Sequence, residues 1–303
     1  TSPLVAWFLC SDDTPVTAAS SEHPWALLIT RDKVVAFTSV SEKDRLADEI
    51  LDTVQVPVES KVLDWDGCSI REALQHEVSE RTVLVDMPWA KDQVPLGDMV
   101  YELLYPLTDA QVREVRRLGN DVRYIVEQAA KSIKPGVAER MVAGRIASGM
   151  WDVGIFPAVL LVGADERAIR YRHPVPTSQP IQRYALVAAV GRRKGLHVCI
   201  TRLIHIGKVP SELKRYHRAC ATIEACLMAS TRPGTTYSQI VDIARQLYAE
   251  QGFPDEVSKH HQGGPTGYVL TDIESTKRGM TVPVSDTHVV SWNPTVHGAK
   301  SED

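Results

Sequence analysis

The chain has 303 residues, of which 44% are hydrophobic and 24% are charged, and this composition excludes collagen-like, coiled-coil and disordered proteins. Its length predicts about two domains, with cores large enough to fold without disulfides or a structural metal. A formal charge of −4 argues against a nucleic-acid partner, and no run of about 18 apolar residues predicts a membrane span. Five cysteines without a C-x-x-C pair are typical of reduced thiols, which predicts a cytoplasmic protein.

The first third of the chain alternates between strand and helix patterns. Two apolar runs flank Arg31-Asp32-Lys33 and predict a hairpin. The segments with strand or helix character are 26–30 and 34–38 (strands), 42–51 (helix) and 82–86 (strand). They predict a compact α/β domain over residues 1–107.

A long amphipathic helix is predicted to begin after Thr108, an N-cap residue type that is followed by an acidic residue in the favourable first turn. Apolar residues keep helical spacing as far as Lys134, where Pro135-Gly136 ends the pattern. A second helix is predicted over about 138–151, ending at Gly154.

The same helix–Pro-Gly–helix pattern recurs later in the chain. Pro135 and Pro233 are 98 residues apart, and so are Gly154 and Gly252. Two landmarks at one offset indicate a duplicated unit and predict a pseudo-two-fold α/β domain with a cleft between its halves. The alternative is coincidence, because Pro-Gly is a common turn.

Strand patterns lie between and after the two repeats. They cover 156–163, 184–190, 195–201, 203–207, 260–270 and 288–292. The chain begins at Thr1 without a basic-then-apolar signal pattern, so we expect a trimmed start. Residues 298–303 form no closing element, so we expect the domain to continue beyond Asp303.

Several motifs, in this order and spacing, resemble the pita-bread family of creatinase, methionine aminopeptidase and Xaa-Pro aminopeptidase. They are the paired Pro-Gly helix units, Arg172-His173-Pro174, Gly195 with Ile200-Thr201-Arg202, the run 260–268 (HHQGGPTGY) and Lys300-Ser301-Glu302-Asp303. The resemblance implies an α/β (α+β) protein with a pita-bread domain over 108–303 and a smaller creatinase-like domain over 1–107. It also implies a homodimer.

The metallopeptidases of this family hold two metals with two Asp, one His and two Glu. The matching positions here are Ala189 (or Ala188), Cys199, His261, Asn293 and Glu302. Because a two-metal centre needs several bridging carboxylates, the resemblance implies that this chain uses no metal and no other cofactor. A single Zn²⁺ on Cys199, His261 and Glu302 is the alternative, although no two of these ligands are close in sequence.

Creatinase works without a metal and uses a pocket histidine as acid and base. His173 matches that histidine, sixteen residues before Ala189, and imidazole suits the role because its ordinary pKa is about 6.5. The alternative for His173 is a solvated loop residue before Pro174.

Further site residues follow from the same resemblance. His261 lies in a glycine-rich stretch that allows close approach to a ligand, and we expect it rather than His260 to face the cleft. Tyr268 is a candidate oxyanion donor or a packing residue. Glu302 is expected to orient a histidine or bind a substrate cation; its alternative is a solvated carboxylate.

The remaining candidates for substrate binding are assigned less specifically. Three of them have a structural alternative, which is a surface ion pair for Arg202, ordinary core for Trp292 and a small buried hydrophobe for Cys199. The full predicted binding set is Tyr268, Gln262, Arg202, Trp292, Asn293 and Cys199.

The leading hypothesis is therefore a metal-independent, creatinase-like enzyme that cleaves or rearranges a C–N or amide bond of a small polar molecule. His173, His261 and Glu302 are its predicted catalytic residues. The second hypothesis is a non-catalytic pita-bread module that binds a peptide or ligand, as in a histone-chaperone subunit with this fold. The third is an Xaa-Pro aminopeptidase-type metallopeptidase.

Overall fold

The structure is a computed structural model that describes residues 2–10, 24–78, 82–91, 93–97, 99–270 and 279–303. The chain divides into two compact units, Thr1–Leu104 and Tyr105–Asp303. No helix in these described ranges is long and apolar enough to cross a membrane.

The first unit is built around a three-stranded sheet with the order β1-β2-β3. Its elements are α1 (Ser2–Leu9), β1 (Trp25–Ile29), β2 (Val34–Ser39), α2 (Lys43–Arg45), β3 (Val58–Leu63), α3 (Ile70–Glu77), β4 (Leu84–Val85), β5 (Val94–Pro95) and α4 (Met99–Leu104). The predicted hairpin is present, with Trp25 opposite Thr38 and Ile29 opposite Val34. The central strand β2 is buried on both faces, because Ala36 packs into one hydrophobic cluster and Val35 and Phe37 into another.

The second unit contains the two helix pairs and the strands between and after them. Its elements are α5 (Asp109–Lys131), α6 (Glu139–Trp151), β6 (Phe156–Ala164), α7 (Glu166–Arg170), β7 (Tyr184–Arg193), β8 (Leu196–His205), α8 (Ser211–Ser230), α9 (Tyr237–Glu250), β9 (Gly263–Pro265), β10 (Val290–Trp292), β11 (Thr295–Val296) and β12 (Ala299–Lys300).

Helix α5 begins where the sequence predicts. Thr108 accepts a hydrogen bond from the backbone of Gln111, whose side chain returns to the Thr108 backbone in a capping box. The buried face of the helix consists of Val115, Leu118, Val122, Val126 and Ala129. This face packs on β7 and β8 of the antiparallel sheet β6-β7-β8, so the long helix supports the middle of the sheet.

The predicted duplication is visible in two equivalent hydrogen bonds whose donors are 98 residues apart. Gly136 donates to the carbonyl of Ile181 (2.8 Å), and Gly234 donates to the carbonyl of Val284 (2.9 Å). Both glycines have positive φ, +91° and +87°, a conformation that glycine adopts at little cost. The second helix of each pair, α6 and α9, therefore follows the same backbone arrangement.

Several predicted boundaries differ from the structure, and three of these differences have a clear physical reason. Helix α5 ends at Lys131, because Ser132 already caps it, and not at Lys134. The predicted strands 195–201 and 203–207 form one strand, β8, whose pairing with β7 continues through Arg202. In the predicted strand 260–270, only Gly263–Pro265 forms strand pairs, since β10 offers three partners.

Candidate functional site

Three segments of the second unit supply the candidate site. The loop after α7 carries His173, the residues before β9 carry His260 and His261, and the end of β12 carries Lys300 and Glu302. The side chains of the first two segments are in contact, and the charges of the third act on both.

The His173 loop lies close to the sheet because Gly163 leaves room for it. Val162 donates to the carbonyl of Pro174 (3.0 Å). A Cβ atom at Gly163 would lie 2.8 Å from the Pro174 ring, which is too close. A larger residue at 163 would displace Pro174 and, with it, the exposed side chain of His173.

The imidazoles of His173 and His260 form a hydrogen bond between their Nε2 atoms, 3.0 Å apart. His260 Nδ1 lies 2.6 Å from the carbonyl oxygen of His261, which can only accept, so Nδ1 of His260 carries a proton. A neutral His260 then accepts at Nε2, and His173 donates to it from Nε2. These contacts assign the free lone pair of His173 to Nδ1, the atom suited to take a proton.

Behind the histidines lies a buried ion pair. The Lys300 ammonium is 3.0 Å from Oε2 of Glu302, and their side chains are 9% and 8% exposed. The same Oε2 accepts the Thr201 hydroxyl at 2.6 Å. Because the two residues are two positions apart near an extended strand, they share one face and meet.

This pair and burial together set the charge of the imidazoles. Desolvation lowers the pKa of His173, Lys300 lowers it further, and Glu302 partly opposes the shift. Desolvation, His261 and Lys300 lower the pKa of His260 to about 3. Both imidazoles are therefore neutral near pH 7, the state in which one can act as a base.

Cys199 lies at the bottom of the same region. Burial raises the pKa of its thiol to about 12, so it is protonated and unsuited to nucleophilic attack. The hydroxyls of Thr266 and Ser291 lie against the thiol, and neither has an oxygen or nitrogen hydrogen-bond partner in the described part of the chain. Buried hydroxyls in this state usually bind water or ligand atoms.

Gln262 and Asn293 add two buried amides to this region. Gln262 donates to the carbonyls of Val257 and His260, and its Oε1 atom accepts no hydrogen bond from a described residue. The same holds for Oδ1 of Asn293. Asn293 shares the strand face of Ser291, and the Trp292 between them points the other way, where its indole donates to Thr231 at 3.0 Å.

Three predicted binding residues have structural partners. Trp292 is fully buried in the core. Arg202 pairs with Asp303 (2.8 Å) and Glu127 (3.4 Å), and not with Glu302. The Tyr268 hydroxyl accepts a hydrogen bond from Gln111 at the start of α5 (2.9 Å).

The structure brings to the site two residues outside the predicted set, His260, which the sequence predicted to face away from the cleft, and Lys300. His260 contacts His173 directly, and the ring of His261 stacks on His260 with centroids 4.3 Å apart. Lys300 pairs with Glu302, which a strand alternation of two residues would have indicated.

A cavity of about 230 Å³ is lined by His260 and His261, and His173 is not among its lining residues. His260, His261 and Gln262 form one wall, and α9 forms part of another through Val241 and Arg245. A space of this size fits a small molecule or one to two amino-acid residues.

The residues at the family's metal positions do not fit a two-metal centre. Glu302 is the one carboxylate among them, and its Oε2 already binds Lys300 and Thr201. Within the described ranges, no group of three or more His, Cys, Asp or Glu side chains is arranged to hold a metal ion. A buried ammonium beside the carboxylate also repels a second cation.

Comparison with known structures places the chain in one fold class, the pita-bread fold. The structure is similar to prolidase from Pyrococcus horikoshii OT3 (TM-score 0.81, 16% identity, 100% of this chain and 88% of that one). It is also similar to X-Pro aminopeptidase from Thermotoga maritima MSB8 (TM-score 0.72, 14% identity, 92% of this chain and 84% of that one). Xaa-Pro dipeptidase from Bacillus anthracis is similar as well (TM-score 0.73, 16% identity, 94% of this chain and 85% of that one).

The sequence profile of metallopeptidase family M24 matches residues 112–302. The chain belongs to metallopeptidase family M24, as the resemblance predicted. A search of curated proteins found no significant match.

Proposed function

We propose that this chain is a metal-independent hydrolase that cleaves a C–N or amide bond of a small molecule by histidine acid/base catalysis. The observation that carries the proposal is the hydrogen-bonded series from His173 through His260 to the carbonyl of His261, which leaves a lone pair on His173 Nδ1. His260, the partner of His173 in this series, lines a cavity of about 230 Å³ that fits a small substrate.

In the proposed reaction, His173 Nδ1 takes a proton from water as the water oxygen bonds to the substrate carbonyl carbon. The carbonyl π electrons move to oxygen, and His261 is the candidate that polarises this oxygen. When the intermediate collapses, the C–N bond breaks and His173 returns the proton to the departing nitrogen. His260 fixes the His173 tautomer, and the negative charge of Glu302 favours the transient imidazolium.

The second candidate function is peptide cleavage beside proline with bound metal. Membership of family M24 and the prolidase and Xaa-Pro peptidase relatives favour it. Against it stands the donor set, in which Lys300 is bound to the remaining carboxylate. The homodimer, the cytoplasmic location and the domains 1–107 and 108–303 also remain predictions.

The test is a turnover screen of the purified chain, with and without a chelator. The substrates are Xaa-Pro dipeptides, N-acyl amino acids and ureido or amidino acids. We expect turnover of one class that the chelator does not change, and a loss of at least about 100-fold in kcat for His173→Ala. His217→Ala, an exposed histidine on α8, is the matched control.

Each other outcome contradicts the proposal in a different way. Activity that the chelator abolishes and Mn²⁺ or Zn²⁺ restores supports the metallopeptidase. Binding without turnover of any class supports a non-catalytic module. Full activity in His173→Ala overturns the assigned base.

A further inference from the structure

A single buried carboxylate, that of Glu256, contacts the loop that carries His173, the segment that leads to His260 and the β11–β12 turn that leads to Lys300. It lies immediately before the short helical turn Val257–Lys259, which leads into His260. The residue is 2% exposed, so its charge must be balanced by the groups around it.

The first contact runs to the His173 loop. The guanidinium of Arg172 donates to Oε2 of Glu256, and Arg172 is the residue directly before His173. The side chain of Arg172 is 23% exposed, so this ion pair is shielded from water. The pair ties the loop that carries His173 to the segment that carries His260.

The second and third contacts run to the other two segments. Lys259, next to His260, places its ammonium 2.5 Å from Oε1. The backbone N–H of His297 donates to Oε2 at 3.3 Å. His297 lies in the tight turn between β11 and β12, the hairpin that leads to Lys300.

The side chain of Glu256 is ionised at neutral pH. Burial alone would raise its pKa, but hydrogen bonds from Lys259 and Arg172 outweigh this and hold the pKa at about 2. The carboxylate therefore stays ionised throughout the pH range in which imidazoles titrate.

We infer that Glu256 is a positioning residue that holds His173 and His260 at hydrogen-bond distance and so fixes the tautomer of His173. The effect of Glu256 on turnover rests on the proposed function, whereas its effect on the His173–His260 hydrogen bond does not. Glu256 acts through Arg172 and the 257–260 segment.

The test compares Glu256→Gln with Glu139→Gln. Glu139 is a matched control because it is fully buried and accepts four hydrogen bonds, from Ala164, Arg167 and Thr177, at the two ends of the same loop. Both variants should lower the melting temperature. Nitrogen-15 NMR of histidine-labelled protein then reports the tautomers of His173 and His260.

We expect the wild type and Glu139→Gln to show one tautomer for each of the two histidines, and Glu256→Gln to show mixed tautomers. In the turnover assay, Glu256→Gln should lose about tenfold or more in kcat with little change in KM. Arg172→Met is the second variant. It removes the ion pair between Glu256 and the His173 loop and leaves Glu256 paired with Lys259, so it should show the same mixed tautomers.

Unchanged tautomers in both Glu256→Gln and Arg172→Met would overturn the inference, as would an equal effect in Glu139→Gln. If no substrate is turned over, the proposed function fails, but the NMR result still decides whether Glu256 positions the pair.

Discussion

The Lys300 ammonium lies 3.0 Å from the carboxylate of Glu302, in a place where both side chains are almost fully buried. The resemblance to the pita-bread metallopeptidases places Glu302 at their last metal-ligand position, and in this chain the Lys300 ammonium contacts that carboxylate. A buried ion pair is costly to form but costlier to break on one side, because the remaining charge loses its counterion.

Removing only the ammonium should therefore destabilise the second unit strongly. We expect Lys300→Met to lower the free energy of unfolding by about 3 kcal/mol or more at pH 7, and Lys300→Met/Glu302→Gln to recover part of that loss. Urea unfolding measures both. Arg123→Met, which breaks an exposed pair with Glu127 on α5, is the control and should cost less than about 1 kcal/mol. A small effect of Lys300→Met would mean that the pair is solvated.

The lowered pKa of His260 predicts how stability depends on pH. The folded protein keeps His260 neutral down to a pKa of about 3, whereas the unfolded chain binds a proton near its ordinary pKa of 6.5. The contribution of the neutral His260 to the free energy of unfolding is thus fully present above pH 6.5 and decreases as the pH falls toward 3. About 2 kcal/mol of it is lost by pH 5.

Removing the titrating group should flatten this dependence. We expect His260→Gln to show a smaller loss of unfolding free energy between pH 7.5 and pH 5 than the wild type, measured by urea unfolding at both pH values. His217→Gln, on the exposed side of α8, should retain the wild-type slope. Equal slopes for His260→Gln and the wild type would show that the ring is hydrated in the folded protein.

The pH dependence of turnover follows from His173. Its pKa is lowered by desolvation and by Lys300, so the base remains unprotonated below pH 6.5. We expect kcat/KM to be constant near pH 7 and to fall only as the pH decreases through a value below 6.5. Removing the Lys300 charge raises the His173 pKa, so the acid limb of a folded Lys300→Met variant should move to higher pH. An acid limb above pH 6.5 in the wild type would argue against His173 as the base.

The sequence indicates helix starts and the duplication well because these depend on local chemistry. Thr108 with Gln111 satisfies the first N–H groups of α5 within four residues, and Gly136 and Gly234 adopt backbone angles that other residues disfavour. These interactions depend only on nearby residues and can form in any tertiary arrangement, which explains why both helix pairs are found at the predicted places.

Choosing between His260 and His261 requires more than local chemistry. The alternation of side chains in a strand does not apply to them, because β9 begins only at Gly263 and His260 follows a short helical turn. The direction of His260 is set by His173, which is 87 residues away in the chain, together with the carbonyl of the adjacent His261. Arg202 is similar, since Asp303 and Glu127 reach it only after β8 and α5 have packed.

Gly263 is required both by its local backbone conformation and by its close contact with β10, and a comparison with Gly136 separates the two effects. Its φ is +97°, and a Cβ atom there would lie 2.1 Å from the carbonyl oxygen of Ser291 on the paired strand β10. Gly136 has a similar φ of +91°, but a Cβ atom there would have no neighbour within 4 Å. The two glycines therefore separate the cost of the backbone conformation from the cost of the clash.

We expect Gly136→Ala to lower the free energy of unfolding by about 1 kcal/mol, the conformational cost alone. Gly263→Ala should cost at least about 2 kcal/mol more, because the β9–β10 pairing must open to admit the methyl group. The opening displaces the segment before β9, which carries His260, and strand β10, which carries Ser291. Turnover should therefore also fall in Gly263→Ala and remain in Gly136→Ala. Urea unfolding and the turnover assay on both variants measure this. Equal losses of stability would mean that β10 moves freely and does not fix the site.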